Sequence, residues 1–261
     1  MKKTLTTVCH NVFPAFFKEF VAGYQIYDSS SSQDAQVWWL DREEGFFIKS
    51  AAKGALEAEA AMAEYFYRLG LGAQVLAFHQ EDRDWLLTQQ LPGEDCVSQL
   101  YLDDPKRLCD TTAVLLRQLH EITPTGCSIN RKEAYIQTAR DHARLGRYDT
   151  SLFPDNWGYA SAAEARMVME EAAACLACDT LIHGDYCLPN IILKNWALSG
   201  FIDLGSAGLG DRHMDLHWGI WSLGFNLKTD QYRERFLDAY GRDQINPELL
   251  DAIGAFEVFM G

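Results

Sequence analysis

The chain has 261 residues and a formal net charge of −14, from 37 acidic against 23 basic side chains, with 48% hydrophobic residues. Such an acidic excess repels phosphate backbones and anionic lipids, which weighs against nucleic-acid and membrane partners and leaves room for a cationic small molecule. No apolar run approaches the ~20 residues of a membrane span. The start Met1-Lys2-Lys3 is followed by Thr4, Thr6, Thr7, His10 and Asn11, not by the apolar stretch of a secretory leader. Seven cysteines, odd in number and irregular in spacing, fit free thiols in a reducing compartment. The expectation is a cytoplasmic protein with no obligate protein partner.

Ser29–Ser32 precedes Val37–Leu40 and Phe46–Lys49, two aromatic, β-prone runs around a polar turn with Gly45; they predict a hairpin. From Ala51 to Leu69 the apolar residues keep helical spacing until Gly70 and Gly72 end the segment. Ala73–Phe78 and Trp85–Gln89 predict two further strands, and Leu91-Pro92-Gly93 breaks the pattern. Helices are expected at Pro105–His120, Arg131–Leu145 and Ser161–Ala177, with Cys175 and Cys178 as two buried helical cysteines. Short strands are expected at Thr180–Ile182, Ile191–Lys194 and Leu198–Asp203, then helices at Met214–Gly224, Thr229–Tyr240 and Pro247–Phe259. A β-rich first third and an α-rich remainder predict an α+β protein of two lobes, residues 1–91 and 92–261.

The chemistry lies in Leu181–Lys194 and Ser199–Gly205. His183-x-Asp185 is followed by Asn190 five residues after the aspartate, and Asp203-x-Gly205 begins thirteen residues after the asparagine. This is the pattern of a kinase catalytic loop. Phosphoryl transfer needs a carboxylate for the attacking hydroxyl, oxygen ligands for Mg²⁺ and a cation for the phosphates. A hairpin turning at Asn195-Trp196 would bring Asn190 and Asp203 together at its open end, as two ligands of one metal site require.

The segment His183-Gly-Asp-Tyr-Cys-Leu-Pro-Asn190-Ile191 with Ser199-Gly-Phe-Ile-Asp203-Leu-Gly205 resembles the aminoglycoside 3'-phosphotransferases. The likeness extends through Asp211-Arg212 and Asp215-Leu216, and more loosely over 85–120. It implies a protein-kinase-like fold with a β-rich N-terminal nucleotide-binding lobe and a mainly α-helical C-terminal lobe. It also implies ATP, or GTP, and Mg²⁺. By resemblance, Asp185 is the catalytic carboxylate, and Asn190 and Asp203 hold the metal. Lys49 binds phosphate and pairs with Glu59, with Glu57 as the fallback. Gln89 and Leu91 belong to the nucleotide-binding hinge. Ser32 and Gln33 fall in the loop that covers the phosphates. His183 is expected to be scaffold, and Asp215 to brace the catalytic loop.

On the acceptor side the resemblance points to Asp155, Glu257 and Phe259. Two departures stand out: Ser206 follows Asp203-x-Gly205 where the family usually has arginine, and the helix after Asp215 carries Trp218, Trp221 and Phe225. An aminoglycoside is the expected acceptor. Choline-like, sugar and homoserine-like acceptors stay open, as does a non-catalytic nucleotide-binding module.

Overall fold

The structure, a computed structural model, describes residues 4–5, 12–31, 34–42, 44–149 and 158–260. Two compact units emerge, Met1–Cys96 with Pro189–Gly205, and Val97–Leu188 with Ser206–Gly261. The class is α+β, as expected.

The first unit opens with β1 (Thr4–Leu5), α1 (Ala15–Val21), β2 (Ile26–Asp28), β3 (Ala35–Leu40), β4 (Phe46–Ala52), α2 (Glu57–Arg68), β5 (Val75–Gln80), β6 (Arg83–Gln89) and β7 (Glu94–Asp95). Six strands form an antiparallel sheet ordered β1-β2-β3-β4-β6-β5. Alternation along β4 and β6 sends Ile48, Trp85 and Leu87 to one face, where Phe13, Phe17 and Val21 cover them. Trp38 stacks on Trp85 there at 5.9 Å. The opposite face carries Ala51 and Leu86, packed against Leu56 and Ala60. Lys49 pairs in register with Leu86, so it shares this second face with α2.

The helix expected from Ala51 begins only at Glu57. Ala51 and Ala52 stay in β4 because β6 offers them Asp84 and Arg83 as partners. The buried carboxylate of Asp84 then accepts the Leu56 N–H at 2.9 Å and fixes where α2 can start.

The second unit contributes α3 (Gln99–Leu102), α4 (Pro105–His120), α5 (Lys132–Arg144), α6 (Ala162–Ala173) and β8 (Thr180–Ile182). Asp104 caps α4 by accepting the Arg107 N–H, and Pro105 occupies its first turn. Leu108, Thr112, Leu116 and Leu119 make its buried stripe. Ser161 caps α6. That helix stops at Ala173, so the two cysteines expected inside it lie beyond its end, and Cys175 is exposed. All six described cysteines are free thiols.

A 3-10 turn at Leu188–Asn190 leads into β9 (Ile191–Lys194) and β10 (Ala197–Phe201), which return to the first unit, where β9 also pairs with β7. Their two-residue turn is Asn195 (φ 53°) and Trp196 (φ 68°), both left-handed, as a tight hairpin turn of this kind requires. The strand expected to reach Asp203 ends at Phe201, because Asp203 adopts φ 59°, outside the β region.

β11 (Gly208–Gly210) pairs with β8, and α7 (Arg212–Leu227), α8 (Arg233–Tyr240) and α9 (Pro247–Glu257) complete the second unit. Here α4 packs on α8, and α9 packs on both α6 and α7. Tyr135, Met169, Ile182, Ile253 and Phe256 form the centre of its core. Among the described residues, no helix is long and apolar enough to cross a membrane.

Candidate active site

In the first unit, the Lys49 ammonium donates to both carboxylate oxygens of Glu59, each at 2.8 Å, and to Asp203 Oδ1 at 2.7 Å. Burial works against its charge. Asp203 and then Glu59 outweigh that and hold its pKa above the ordinary value. Burial pushes the Glu59 carboxyl up, opposed by Lys49 and reinforced by Asp203. Glu57, the alternative partner, is exposed.

The hairpin register sets the rest. Phe201 pairs with Ile191, and the Ile202 N–H donates to the Asn190 carbonyl at 3.0 Å. Asp203 is thus one residue past the partner of buried Asn190. An amide and a carboxylate are hard oxygen donors that suit Mg²⁺, which takes few protein ligands and keeps waters. Among the described residues no group of three or more His, Cys, Asp or Glu could hold a metal. Gln89 donates to Glu44, and Leu91 lies against Gly200. Ser32 and Gln33 fall outside the described residues.

In the second unit, Asp215 is fully buried and accepts the backbone N–H of His183 and of Gly184, each at 2.7 Å. His120 is held neutral by burial; its Nε2 meets Asp215 at 3.1 Å and its Nδ1 the Tyr240 hydroxyl at 2.8 Å. Buried His183 accepts the Asp185 N–H on Nδ1 at 3.3 Å. Gly184 sits at φ 80°, and a Cβ there would strike the Ser206 main chain. Asp185 is therefore presented by a loop pinned from beneath. The Cys187 thiol, kept protonated by burial and then by Asp185, hydrogen-bonds that carboxylate.

Asp185 lines a cavity of 340 Å³ together with Arg131, Tyr135, Ser206, Trp218 and Glu257. Glu257 is buried and accepts the Tyr135 hydroxyl at 2.6 Å. Burial pushes its pKa up to about 7. Hydrogen bonds from Tyr135 and Trp218 act in the opposite direction, and Asp185 adds to the rise.

Phe259, expected at the acceptor, is buried in the core beside Tyr135 and Phe256 and offers its carbonyl to His142 Nδ1 at 2.7 Å. An aromatic ring this close to a large apolar cluster is drawn into it, and Met260 lines the cavity instead. Asp155 lies outside the described residues.

The profile described as "Phosphotransferase enzyme family" matches residues 28–253. A protein of Lactococcus lactis subsp. lactis (strain IL1403), named "Probable aminoglycoside 3'-phosphotransferase", is 44% identical over 249 residues, 95% of each chain. The chain belongs to the phosphotransferase enzyme family. The crystal structure of an aminoglycoside-3'-phosphotransferase of type VIII superposes with a TM-score of 0.74 at 22% identity, covering 96% of both chains. An aminoglycoside phosphotransferase of Streptomyces rimosus, solved with ADP and streptomycin, gives 0.67 at 22% identity over 90% of this chain and 93% of that one. At such identities these likenesses carry the fold, which is kinase-like.

Within this phosphotransferase, the sequence pointed to Lys49, Asn190 and Asp203, which lie together in the first unit, and to Asp185 and Glu257, which line the cavity of the second. Its motifs missed Arg131, Tyr135 and Cys187. Tyr135 meets Glu257 across 122 residues of chain, and no local spacing signals such a pair.

Proposed function

We propose that this phosphotransferase moves the γ-phosphoryl group of ATP to a hydroxyl of an aminoglycoside, at the 3' position. The observation that carries the reading is the cavity in which Asp185 and the buried Glu257 stand together. One carboxylate faces the space where a hydroxyl can react, and the other suits an ammonium group of the same molecule. The name of the Lactococcus lactis relative supports the acceptor class and the position, and the ADP held by the Streptomyces rimosus enzyme supports the nucleotide.

In this reading Asp185 accepts the proton of the acceptor hydroxyl as its oxygen attacks the γ-phosphorus and the bond to the β-phosphate oxygen breaks, releasing ADP. Cys187 hydrogen-bonds that carboxylate, and Asp215 holds the loop that carries it. Lys49, kept charged by Glu59 and Asp203, neutralises phosphate oxygens. Gln89 and Leu91 belong to the nucleotide side, with Ser32 as a further candidate over the phosphates. Asn190 and Asp203 would hold Mg²⁺, which when bound offsets the phosphate charge. Glu257, with Asp155 as a further candidate, binds the acceptor's ammonium groups.

The test is ADP release with kanamycin, neomycin and streptomycin against choline, homoserine and simple sugars. Turnover confined to aminoglycosides supports the reading, and turnover only with another member of the panel replaces it. D185N should lower kcat by at least about 100-fold while keeping the thermal transition. An unchanged kcat would remove Asp185 from the chemistry.

A further inference from the structure

Arg131 is an unexpected member of a cavity meant for a polycation. Residues Ile129–Arg131 run alongside β11: the Leu209 N–H donates to Ile129 O at 2.7 Å, and the Arg131 N–H donates to Leu209 O at 2.8 Å. The side chain is then tied down by Nε, which donates to Ala207 O at 2.7 Å. Gly208 makes room for it, since a Cβ there would lie 3.0 Å from Arg131 Cγ and 2.6 Å from Ile129 O. The main chain thus fixes the Arg131 backbone, and the Ala207 carbonyl holds its guanidinium at Nε. Burial lowers its pKa, but an arginine at this depth stays charged.

Its position within the cavity follows from the same contacts. Ala207, which anchors Nε, adjoins Ser206, and Ser206 packs on Gly184, next to Asp185. Arg131 and Asp185 therefore line one cavity and are linked through Ala207, Ser206 and Gly184. A sphere holding the cavity's 340 Å³ is about 9 Å across, no more than the Debye length of about 8–10 Å, so a charge here is felt throughout a bound acceptor. Glu257 attracts an ammonium group; a fixed guanidinium repels one and hydrogen-bonds to oxygen.

We propose that Arg131 is a specificity-determining residue that selects the substituent beside the reacting hydroxyl, favouring a neutral oxygen there and rejecting an ammonium group. The inference rests on the aminoglycoside reading above.

Kanamycin A and kanamycin B test this, because they differ only in carrying a hydroxyl or an amine next to the 3'-hydroxyl. Wild type should favour the hydroxyl compound in kcat/KM by about tenfold or more, mainly through KM. R131Q should bring the ratio close to one by improving the amine compound, a gain that a damaged fold cannot produce. R131K, which keeps the charge, should retain most of the preference. Calorimetric titration of both compounds into wild type and R131Q, without nucleotide, should give the same ratios as dissociation constants. A wild-type ratio near one overturns the role of Arg131. So does an equal loss on both compounds in R131Q, or a preference that R131Q leaves intact. Absence of ADP release with every aminoglycoside sinks the acceptor reading instead.

Discussion

Glu257 has a proton to lose near neutrality. Its folded-state pKa of about 7 stands above the ordinary 4.5, so the folded protein holds the proton more tightly than the unfolded chain. The resulting stabilisation is complete below pH 4.5 and is lost as pH rises through about 7. The gap corresponds to about 3 kcal/mol. Urea unfolding of wild type should show that loss across this range, and E257Q should lack it; parallel pH curves for the two proteins would refute the burial-driven rise. A cationic acceptor needs the ionised carboxylate, so its binding should release a proton near pH 7. At this scale the sequence was partly legible. The linear motif around Asp185, Asn190 and Asp203 announces itself because one loop and one hairpin carry it. Arg131 and Tyr135 belong to another segment altogether, and only the packing of α5 against α9 brings Tyr135 to Glu257.

Elements were legible where local chemistry agreed with packing. Pro105 and Asp104 mark the start of α4, and the apolar runs at Thr180–Ile182 and Ile191–Lys194 give β8 and β9 at the expected residues. α1 was not legible: it is a single aromatic run behind Pro14, without a side-chain cap, and it exists because Phe17 and Val21 cover Trp38 and Trp85. β11 is Gly208-Leu209-Gly210, a poor strand by composition that forms on the edge β8 offers. The β9–β10 turn holds a local conflict, since Trp196 at φ 68° occupies a position that favours glycine. W196G should stabilise the protein by about 1 kcal/mol if relief of the left-handed backbone outweighs the lost ring. A lower midpoint in denaturant would show that the indole contributes more than its backbone costs.

Across the whole molecule the charge of −14 forms a field that a polycation feels before contact. Its kcat/KM should fall by about tenfold between low and high salt, mostly through slower association. A flat salt response would mean that the acidity serves solubility alone. The two-unit division was only partly legible. The first unit runs past the break at Leu91-Pro92-Gly93, through β7 to Cys96, and it reclaims Pro189–Gly205 far along the chain. Composition cannot reveal that, because the hairpin's partners are chosen by sheet edges and not by neighbours in sequence.

That reclaimed hairpin bears on how the protein is made. The Lys49–Asp203 ion pair joins residues 154 apart, and the first unit stays incomplete until residue 205 has been synthesised, 109 residues after Cys96 (205 − 96). At roughly 5–20 residues per second, the nascent sheet waits about 5–20 s with Lys49 and Glu59 lacking their third member. The β9–β10 hairpin thus reaches its partner strand β7 late, and the Lys49 cluster can close only after most of the helical unit has emerged.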